Sequence, residues 1–562
     1  MAFLQAGQPE KSRVLCEGLL RQNPRHPDAL HILGILAHRA GQLDDARRLI
    51  TDAVAAGSRN ASIHTSLGNV LQDMKQSKHA VESYDRALAL KPDLAETHYR
   101  RGLALEALER RDDAVGAYGR AIALNPQFAA AYYKRALALH VAAPADAVAD
   151  YDRVIALTGG VAEMHYNRAS ALQNIERHDD AVAGYDRAIA LDANFTAAHF
   201  NRGNALVRLG RQGDALESYQ RVLALDADHP GARKSLLWLG IANPSLGIDV
   251  ASLAAEACAA KAAQNARALA AAKTIAAFRV RHDLEQSAYL LAQGRQELQG
   301  AHETMKALQA REPRGGKIYL SDAEIDTINE ARRHILRHEI GVDVVECLNP
   351  QNDWNALEAQ YLSGTPEIVV IDNLLTGPAL LALRQFCLAS TVWRTEYDNH
   401  YLGAFADDGF VSPLLSRIAE ELLERMPRIF FGHPLEHLWG FKYDSTMGRG
   451  INVHADFARI NLNFWITPDE ANLDPASGGL VIHDAPAPKS WSFQEYNNDP
   501  ERIYAFLAER KAGKLVVPYR CNRAVLFNSN LFHETDAIHF KESYENRRIN
   551  ITYLFGRGLS VS

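Results

Sequence analysis

Five tyrosines, Tyr84, Tyr118, Tyr151, Tyr185 and Tyr219, stand 34, 33, 34 and 34 residues apart, and no other feature of this 562-residue chain restricts its fold so far. An alanine lies four residues before each of them: Ala80, Ala114, Ala147, Ala181 and Ala215. Small residues recur earlier in each unit, at Gly34, Gly68, Gly102, Ala136, Ala169 and Gly203, and Pro92 and Pro126 close two units. Several positions thus repeat together over about residues 27–229, with a partial unit before them. A period of this length means two amphipathic helices per unit, neither able to bury its apolar face alone, so neighbouring units must stack. The small residues let the two helices of a unit approach, and the tyrosine is expected to fill the gap to the next unit.

The pattern of Gly or Ala, then Ala, then Tyr, then Pro resembles the tetratricopeptide repeat (TPR). The resemblance implies an all-α TPR superhelix over residues 1–240, about six full repeats with a partial one and a cap, presenting a concave groove. Ser66, Arg100, Lys134, Asn167 and Asn201 occupy the helix position that faces the groove in that family. Asparagine amides there can bond an extended backbone without reading its sequence, so the implied partner is a protein or peptide. After Pro230 the periodicity fades. Residues 241–344 read as a helical connector, alanine-rich and helical in pattern over 249–310, broken at Arg311-Glu312-Pro313-Arg314-Gly315-Gly316, with one more helix over 320–338.

A net charge of −7 offers no electrostatic attraction for nucleic acid. No run of 18 apolar residues suggests a membrane span, and the first residues lack a signal-peptide core. Cys16, Cys258, Cys347, Cys387 and Cys521 are scattered and odd in number, with neither a disulfide framework nor a Cys-x-x-Cys motif. The cytoplasm is the expected compartment. Nothing in the chain indicates an oligomeric state.

From residue 345 to residue 562 the texture changes. Short strands are expected at 367–375, 438–443, 460–466, 478–482, 515–519, 524–528 and 549–555, with helices at 377–390 and 412–425. Many short strands with Gly and Pro punctuation suggest a closed or folded-over β structure. The long segment 484–514, helical over 499–511, reads as a lid. His454 and Asp456 are i and i+2, so both can point to one side of an extended segment. His533 follows the strand AVLFN and the short connection SNLF. Two imidazoles and one carboxylate form the facial triad of non-haem Fe(II) oxygenases, with positions left open for a 2-oxo acid and O2. In Arg548-Ile549-Asn550-Ile551-Thr552-Tyr553, period two puts Arg548, Asn550 and Thr552 on one face. If the apolar face packs under helices, Arg548 is buried and needs an anionic partner, which a dicarboxylate would provide in a bidentate fork. Tyr443 could donate to the same carboxylate. Asn463, Trp465 and Asn461 would share an inward face, and His483 is a candidate substrate contact. Each of these residues alone has an ordinary structural reading. His26-Pro27-Asp28 and His178-Asp179-Asp180 fall at turns of the repeats, with Asp as a helix cap, and His433 and His437 read as loop residues.

Together these elements resemble the Fe(II)/2-oxoglutarate-dependent dioxygenases of double-stranded β-helix (jelly-roll) fold, nearest to the prolyl-hydroxylase-like branch. The resemblance implies iron bound by His454, Asp456 and His533, and 2-oxoglutarate held by Arg548 with Tyr443, Thr552 and Asn463. Arg548 lies 15 residues after His533, a longer gap than usual in that branch, which leaves Arg547 or Arg557 as substitutes. The implied activity is hydroxylation of a side chain in a protein or peptide recruited by the groove. Two alternatives are an oxygenase acting on a small or carrier-bound metabolite, and an adaptor whose oxygenase domain is inactive.

Overall fold

A computed structural model describes residues 8–57, 59–311, 316–333, 336, 344, 346–397, 400–444 and 450–557. The chain divides into two compact units, Met1–Ala227 and Asp228–Ser562.

The first unit is built of helix pairs. Ala61–Asp73 packs on Ser77–Leu90, Ala95–Glu106 on Arg111–Leu124, and Thr196–Arg208 on Gln212–Leu225. Glycine sets how close they come. A Cβ on Gly68 would lie 2.4 Å from the Tyr84 ring, one on Gly102 2.4 Å from Tyr118, and one on Gly203 2.5 Å from Tyr219. Each tyrosine therefore closes the seam inside its own unit, where the sequence pointed to the gap before the next. The buried hydroxyls are satisfied: Tyr84 donates to Asn69 Oδ1 at 2.9 Å and Tyr219 to Asn204 Oδ1 at 2.9 Å. The groove-position asparagines bond across to the preceding repeat. Asn201 donates to the Tyr166 hydroxyl at 3.0 Å and Asn167 to that of Tyr133 at 3.4 Å. Neither repeat His-x-Asp uses its Asp as a cap. His26 itself caps Pro27–Arg39, accepting from the Ala29 N–H, and Asp180 pairs with Arg177 at 2.6 Å.

The second unit begins with helices Pro230–Ala242, Val250–Ala272, Ala277–Ala292, Gln299–Gln309 and Asp322–Arg333. A two-stranded ribbon, β1 (Thr274–Ala276) and β2 (Lys317–Tyr319), lies among them. The helix expected over 320–338 ends at Arg333, and residues 334, 335, 337 and 338 lie outside the described residues. Ten further strands follow: β3 (Ile368–Ile371), β4 (Thr395–Tyr397), β5 (Tyr401–Phe405), β6 (Leu435–Tyr443), β7 (Ala458–Trp465), β8 (Leu480–Pro486), β9 (Lys514–Val517), β10 (Ala524–Asn528), β11 (Leu531–Thr535) and β12 (Ile549–Arg557). Seven form a sheet in the order β3-β10-β7-β12-β6-β5-β4, and three form a second sheet in the order β11-β8-β9. All pairings are antiparallel.

Alternation along the strands sorts the two faces of the large sheet. Ile549, Ile551 and Tyr553 of β12, with Ile460, Leu462 and Phe464 of β7, pack against Leu383 and Phe386 of the helix Gly377–Ala389 and Leu415 and Ile418 of the helix Pro413–Arg425. The opposite face contributes Phe441, Tyr443, Trp465, Val525 and Phe527 to a second core, shared with Ile482, Val517 and Leu531 of the small sheet. β12 therefore turns its polar residues between the sheets, where Asn550 and Thr552 are buried.

Several expectations need correction. β4 and β5 are strands that the sequence reading lacked, and β11 replaces the expected connection before His533. His437 lies on β6, not in a loop. The segment 484–514, expected as a lid, packs its helix behind the strands that carry the triad. Its helix Pro500–Arg510 buries Ile503 and Leu507 against Val453, Ala455 and Phe532, residues that alternate with His454, Asp456 and His533. It therefore braces the strands from behind. Among the described residues no helix is long and apolar enough to cross a membrane, and all five cysteines are free thiols.

The glycine seams give a paired prediction. Gly68→Ala forces a methyl into the Tyr84 ring and should cost about 1–3 kcal/mol. Gly116→Ala, inside the helix Arg111–Leu124 with nothing within 4 Å of the added carbon, should stabilise by about 0.4–1 kcal/mol. Urea unfolding followed by helical circular dichroism measures both.

Candidate metal centre

The stretch Val453-His454-Ala455-Asp456 is extended, and its neighbours fix which way each side chain points. The Ala455 N–H donates to the Tyr496 carbonyl at 3.0 Å and the Asn497 amide donates to the Ala455 carbonyl at 3.0 Å. His454 and His533 form an antiparallel bridge, with N–H to O distances of 2.9 and 2.8 Å in the two directions. Residues directly opposite in such a pair project to the same side. The two imidazole centroids consequently lie 4.3 Å apart. Asp456, two residues on, projects to that side as well, and one ligand atom from each of His454, Asp456 and His533 falls within 4.8 Å of the others.

Local hydrogen bonds decide which nitrogen is available. His454 Nδ1 lies 2.8 Å from the Asn452 carbonyl and His533 Nδ1 2.9 Å from the Leu531 carbonyl. Each carbonyl accepts only from a protonated Nδ1, which leaves both Nε2 atoms as lone-pair donors. These Nε2 atoms stand 3.8 and 3.5 Å from the two oxygens of Asp456. Asn461 donates its amide to Asp456 Oδ2 at 2.7 Å, fixing the carboxylate plane. Burial, and then the His533 charge, push the His454 pKa down to about 4. For Asp456 burial acts upward, but the hydrogen bond and charge of His533 with the charge of His454 hold the carboxyl below its usual range. A buried carboxylate beside two imidazole Nε2 atoms is a donor set suited to a borderline divalent metal.

From this end the inner face of β7 runs as a row of polar groups. Asn461 is followed by Asn463, whose amide donates to Thr552 Oγ1 at 3.1 Å, and by Trp465. The register puts Thr552 opposite Asn463. The far end of the row holds Arg548, 2% exposed. Its Nε donates to the Gly478 carbonyl at 2.7 Å and Nη2 to the Gly479 carbonyl at 3.3 Å. Those carbonyls come so near because a Cβ on Gly479 would collide with the Val517 carbonyl at 1.8 Å. The guanidinium carbon sits 4.7 Å from the Tyr443 ring centroid and 5.7 Å from that of Trp465. Among the described residues no carboxylate pairs with it, and burial pulls its pKa down. The Tyr443 hydroxyl, Asn461 Oδ1, Asn463 Oδ1 and Trp465 Nε1 are buried without a hydrogen-bond partner. That many unmet polar groups along one strand face mark a place suited to a polar ligand.

The structure separates the alternatives for the cation. Arg547 is already paired, with Glu285 at 2.8 Å and Asp444 at 3.8 Å, and the side chain of Arg557 lies outside the described residues. His483 alternates with inward-facing Ile482 and lies 3.3 Å from Glu534, so it faces away from the triad. His437 on β6 meets Phe457 edge-on at 4.7 Å and Trp238 at 6.1 Å, and takes no part in the cluster. The clamp of Gly478 and Gly479 carbonyls on Arg548 was missed from sequence, although a glycine pair opening a strand hinted at a close backbone approach.

Models of the tetratricopeptide repeat match residues 3–69, 68–109, 95–128 and 166–233. The first unit is thus an array of tetratricopeptide repeats, a module for protein interaction. The chain is similar to solved TPR structures. YrrB, described as a TPR protein with an unusual peptide-binding site, is 21% identical over 33% of this chain and 95% of its own, with a TM-score of 0.31. MamA from Desulfovibrio magneticus is 19% identical over 30% and 96%, TM-score 0.28. The C-terminal part of a TPR repeat-containing protein from Cytophaga hutchinsonii is 14% identical over 42% and 96%, TM-score 0.36. No curated protein matches the chain.

The depressed His454 predicts a pH dependence in chelator-treated protein. Below about pH 6.5 an unfolded histidine gains a proton that folded His454 refuses down to about pH 4. Stability should therefore fall progressively as pH drops through that window, and His454→Gln should reduce the slope of the urea midpoint against pH.

Proposed function

We propose that the second unit is an Fe(II)- and 2-oxoglutarate-dependent dioxygenase of double-stranded β-helix type, and that it hydroxylates a side chain of a protein or peptide recruited by the TPR groove. The observation that carries this reading is the pairing of two sites along one strand face. A two-imidazole, one-carboxylate cluster lies at one end of β7, and a buried guanidinium with no carboxylate partner among the described residues lies at the other. An unpaired buried charge costs several kcal/mol, so the Arg548 end favours an anion. A dicarboxylate has one carboxylate for Arg548 and leaves its 2-oxo acid end free for the metal.

The donor set fits the metal on this chain's own hydrogen bonds, since the carbonyls of Asn452 and Leu531 hold both histidines in the Nε2-donor tautomer. Bound iron would supply the O2 chemistry that converts 2-oxoglutarate to succinate and CO2 while one oxygen atom enters a C–H bond of the substrate. The protein's task is to position and to exclude. Asn461 holds the carboxylate of Asp456, the glycine carbonyls aim Arg548, and the Tyr443 hydroxyl and the Asn463 amide oxygen are polar groups free to meet the co-substrate. The aromatic core of Tyr401, Phe441 and Trp465 behind them keeps bulk water away. Reduced cytoplasm suits five free thiols and ferrous iron alike. The TPR array supplies the recruiting surface, the role of such modules in general.

Succinate release from 2-oxoglutarate, measured with candidate peptides, tests the proposal. His454→Ala should abolish turnover. Arg548→Met should lower kcat/KM for 2-oxoglutarate by about 100-fold, mostly through KM. Turnover on a small metabolite with none on peptides would replace the protein substrate in this reading. Failure to bind Fe(II) and 2-oxoglutarate would leave an interaction module with an inactive β domain.

A further inference from the structure

A second group of buried cations lies in the second unit, among the helices that precede the sheets. Arg279 on the helix Ala277–Ala292, Arg332 on the helix Asp322–Arg333 and Arg394 just before β4 line one cavity of about 60 Å3. Arg332 and Arg394 also line an open cleft of about 270 Å3, continued by Lys261, Asn265 and Glu396. The two spaces therefore adjoin across a pair of guanidinium groups.

Their charges do not balance. Asp283 is the one carboxylate lining the inner cavity. Its Oδ1 lies 2.8 Å from Arg279 Nε and its Oδ2 3.0 Å from Arg332 Nη2, and His282 Nδ1 adds a contact at 3.1 Å. Glu396 approaches Arg279 only to 3.8 Å and is 38% exposed. Lys261 is matched by Asp408 at 3.2 Å. Among the described residues no carboxylate pairs with Arg394, which is 5% exposed. Its donors meet Cys258 Sγ at 3.2 Å, the Arg332 carbonyl at 3.3 Å and Thr391 Oγ1 at 3.5 Å. Nε of Arg332 is buried with no hydrogen bond, while Arg279 Nη1 donates to the Trp393 carbonyl at 2.8 Å. Among the described residues three guanidinium groups thus face Asp283, already shared by two of them, and the more distant Glu396, an excess of about one positive charge. A buried charge is retained when something pairs with it.

We infer that the Arg279–Arg332–Arg394 cluster binds the phosphate group of a small phosphate-bearing molecule, whose remainder occupies the cleft toward Lys261 and Asn265. Phosphate is the fitting anion because a monoester carries close to two negative charges at neutral pH and offers three acceptor oxygens. Planar guanidinium forks match it with paired hydrogen bonds. Leu269 and Ile275 give the cleft an apolar wall beside its polar one, which suits the carbon part of an ester. The ligand would tie together the helices bearing Arg279 and Arg332 and the segment bearing Arg394, so its binding also stabilises this unit by mass action.

The test is calorimetric titration of the full, metal-free chain with inorganic phosphate and with glycerol 3-phosphate, at ionic strength matched with chloride. Saturable binding is expected for both, tighter for the ester. Arg394→Met should weaken it at least tenfold, while Arg548→Met, which removes the buried guanidinium between the sheets, should leave it unchanged. Equal affinity for the two probes identifies free phosphate as the source and contradicts the ester. No saturable binding in the wild type, or binding lost in Arg548→Met and kept in Arg394→Met, overturns the site. Should Arg394→Met fail to fold, Arg332→Met carries the same expectation. This test does not depend on iron or 2-oxoglutarate, so its failure leaves the proposed oxygenase reading untouched.

Discussion

The reciprocal backbone bond between His454 and His533 is the constraint on which the rest of the site depends. Those residues are 79 positions apart in the chain, and nothing local holds them together. Because they are directly opposite in an antiparallel bridge, their rings must emerge side by side, and Asp456 follows by the two-residue period of an extended strand. The same period sends Val453, Ala455 and Phe532 to the other side, where Ile503 and Leu507 bury them. The insertion between β8 and β9 is therefore part of how the site is held. Its apolar contacts behind the strands fix side chains in front of them.

Charge without a counter-charge is the second organising feature. Arg548 is aimed by two glycine carbonyls and faced by aromatic rings, an arrangement that orients a cation without neutralising it. The arginine cluster of the helical part repeats that logic with three cations around Asp283. By contrast, most ion pairs of the repeat unit, such as Arg101 with Asp85 and Arg202 with Asp186, are partly exposed at 2.6 Å and contribute little individually.

Much of this was legible in the sequence, for physical reasons that differ by region. The repeat array announces itself because each unit must let a bulky side chain close against a small one, Gly against Tyr in three of them, so the residues recur at a fixed period. β12 was readable because its alternation of Ile549, Ile551 and Tyr553 with Arg548, Asn550 and Thr552 admits one orientation against the helices. β4 and β5 escaped because the stretch from Thr395 to Phe405 carries little alternation, and β5 buries four consecutive residues. The inward turn of the Asn461, Asn463 and Trp465 row was readable from the same alternation. The direction of His483 and the bracing role of 484–514 were not, since both depend on which face of the small sheet meets the large one. The arginine cluster could not be read at all. Arg279, Arg332 and Arg394 come from three separate segments, each an ordinary charged residue until the helices converge.

The central claim is that His454, Asp456 and His533 hold one divalent metal whose remaining positions accept a 2-oxo acid anchored by Arg548. Anaerobic calorimetry of Fe(II) followed by 2-oxoglutarate measures it most directly. One metal per chain is expected, lost in His533→Ala, with 2-oxoglutarate binding that requires both the metal and Arg548. Metal bound equally well without His533, or 2-oxoglutarate bound without metal and indifferent to Arg548→Met, would contradict it.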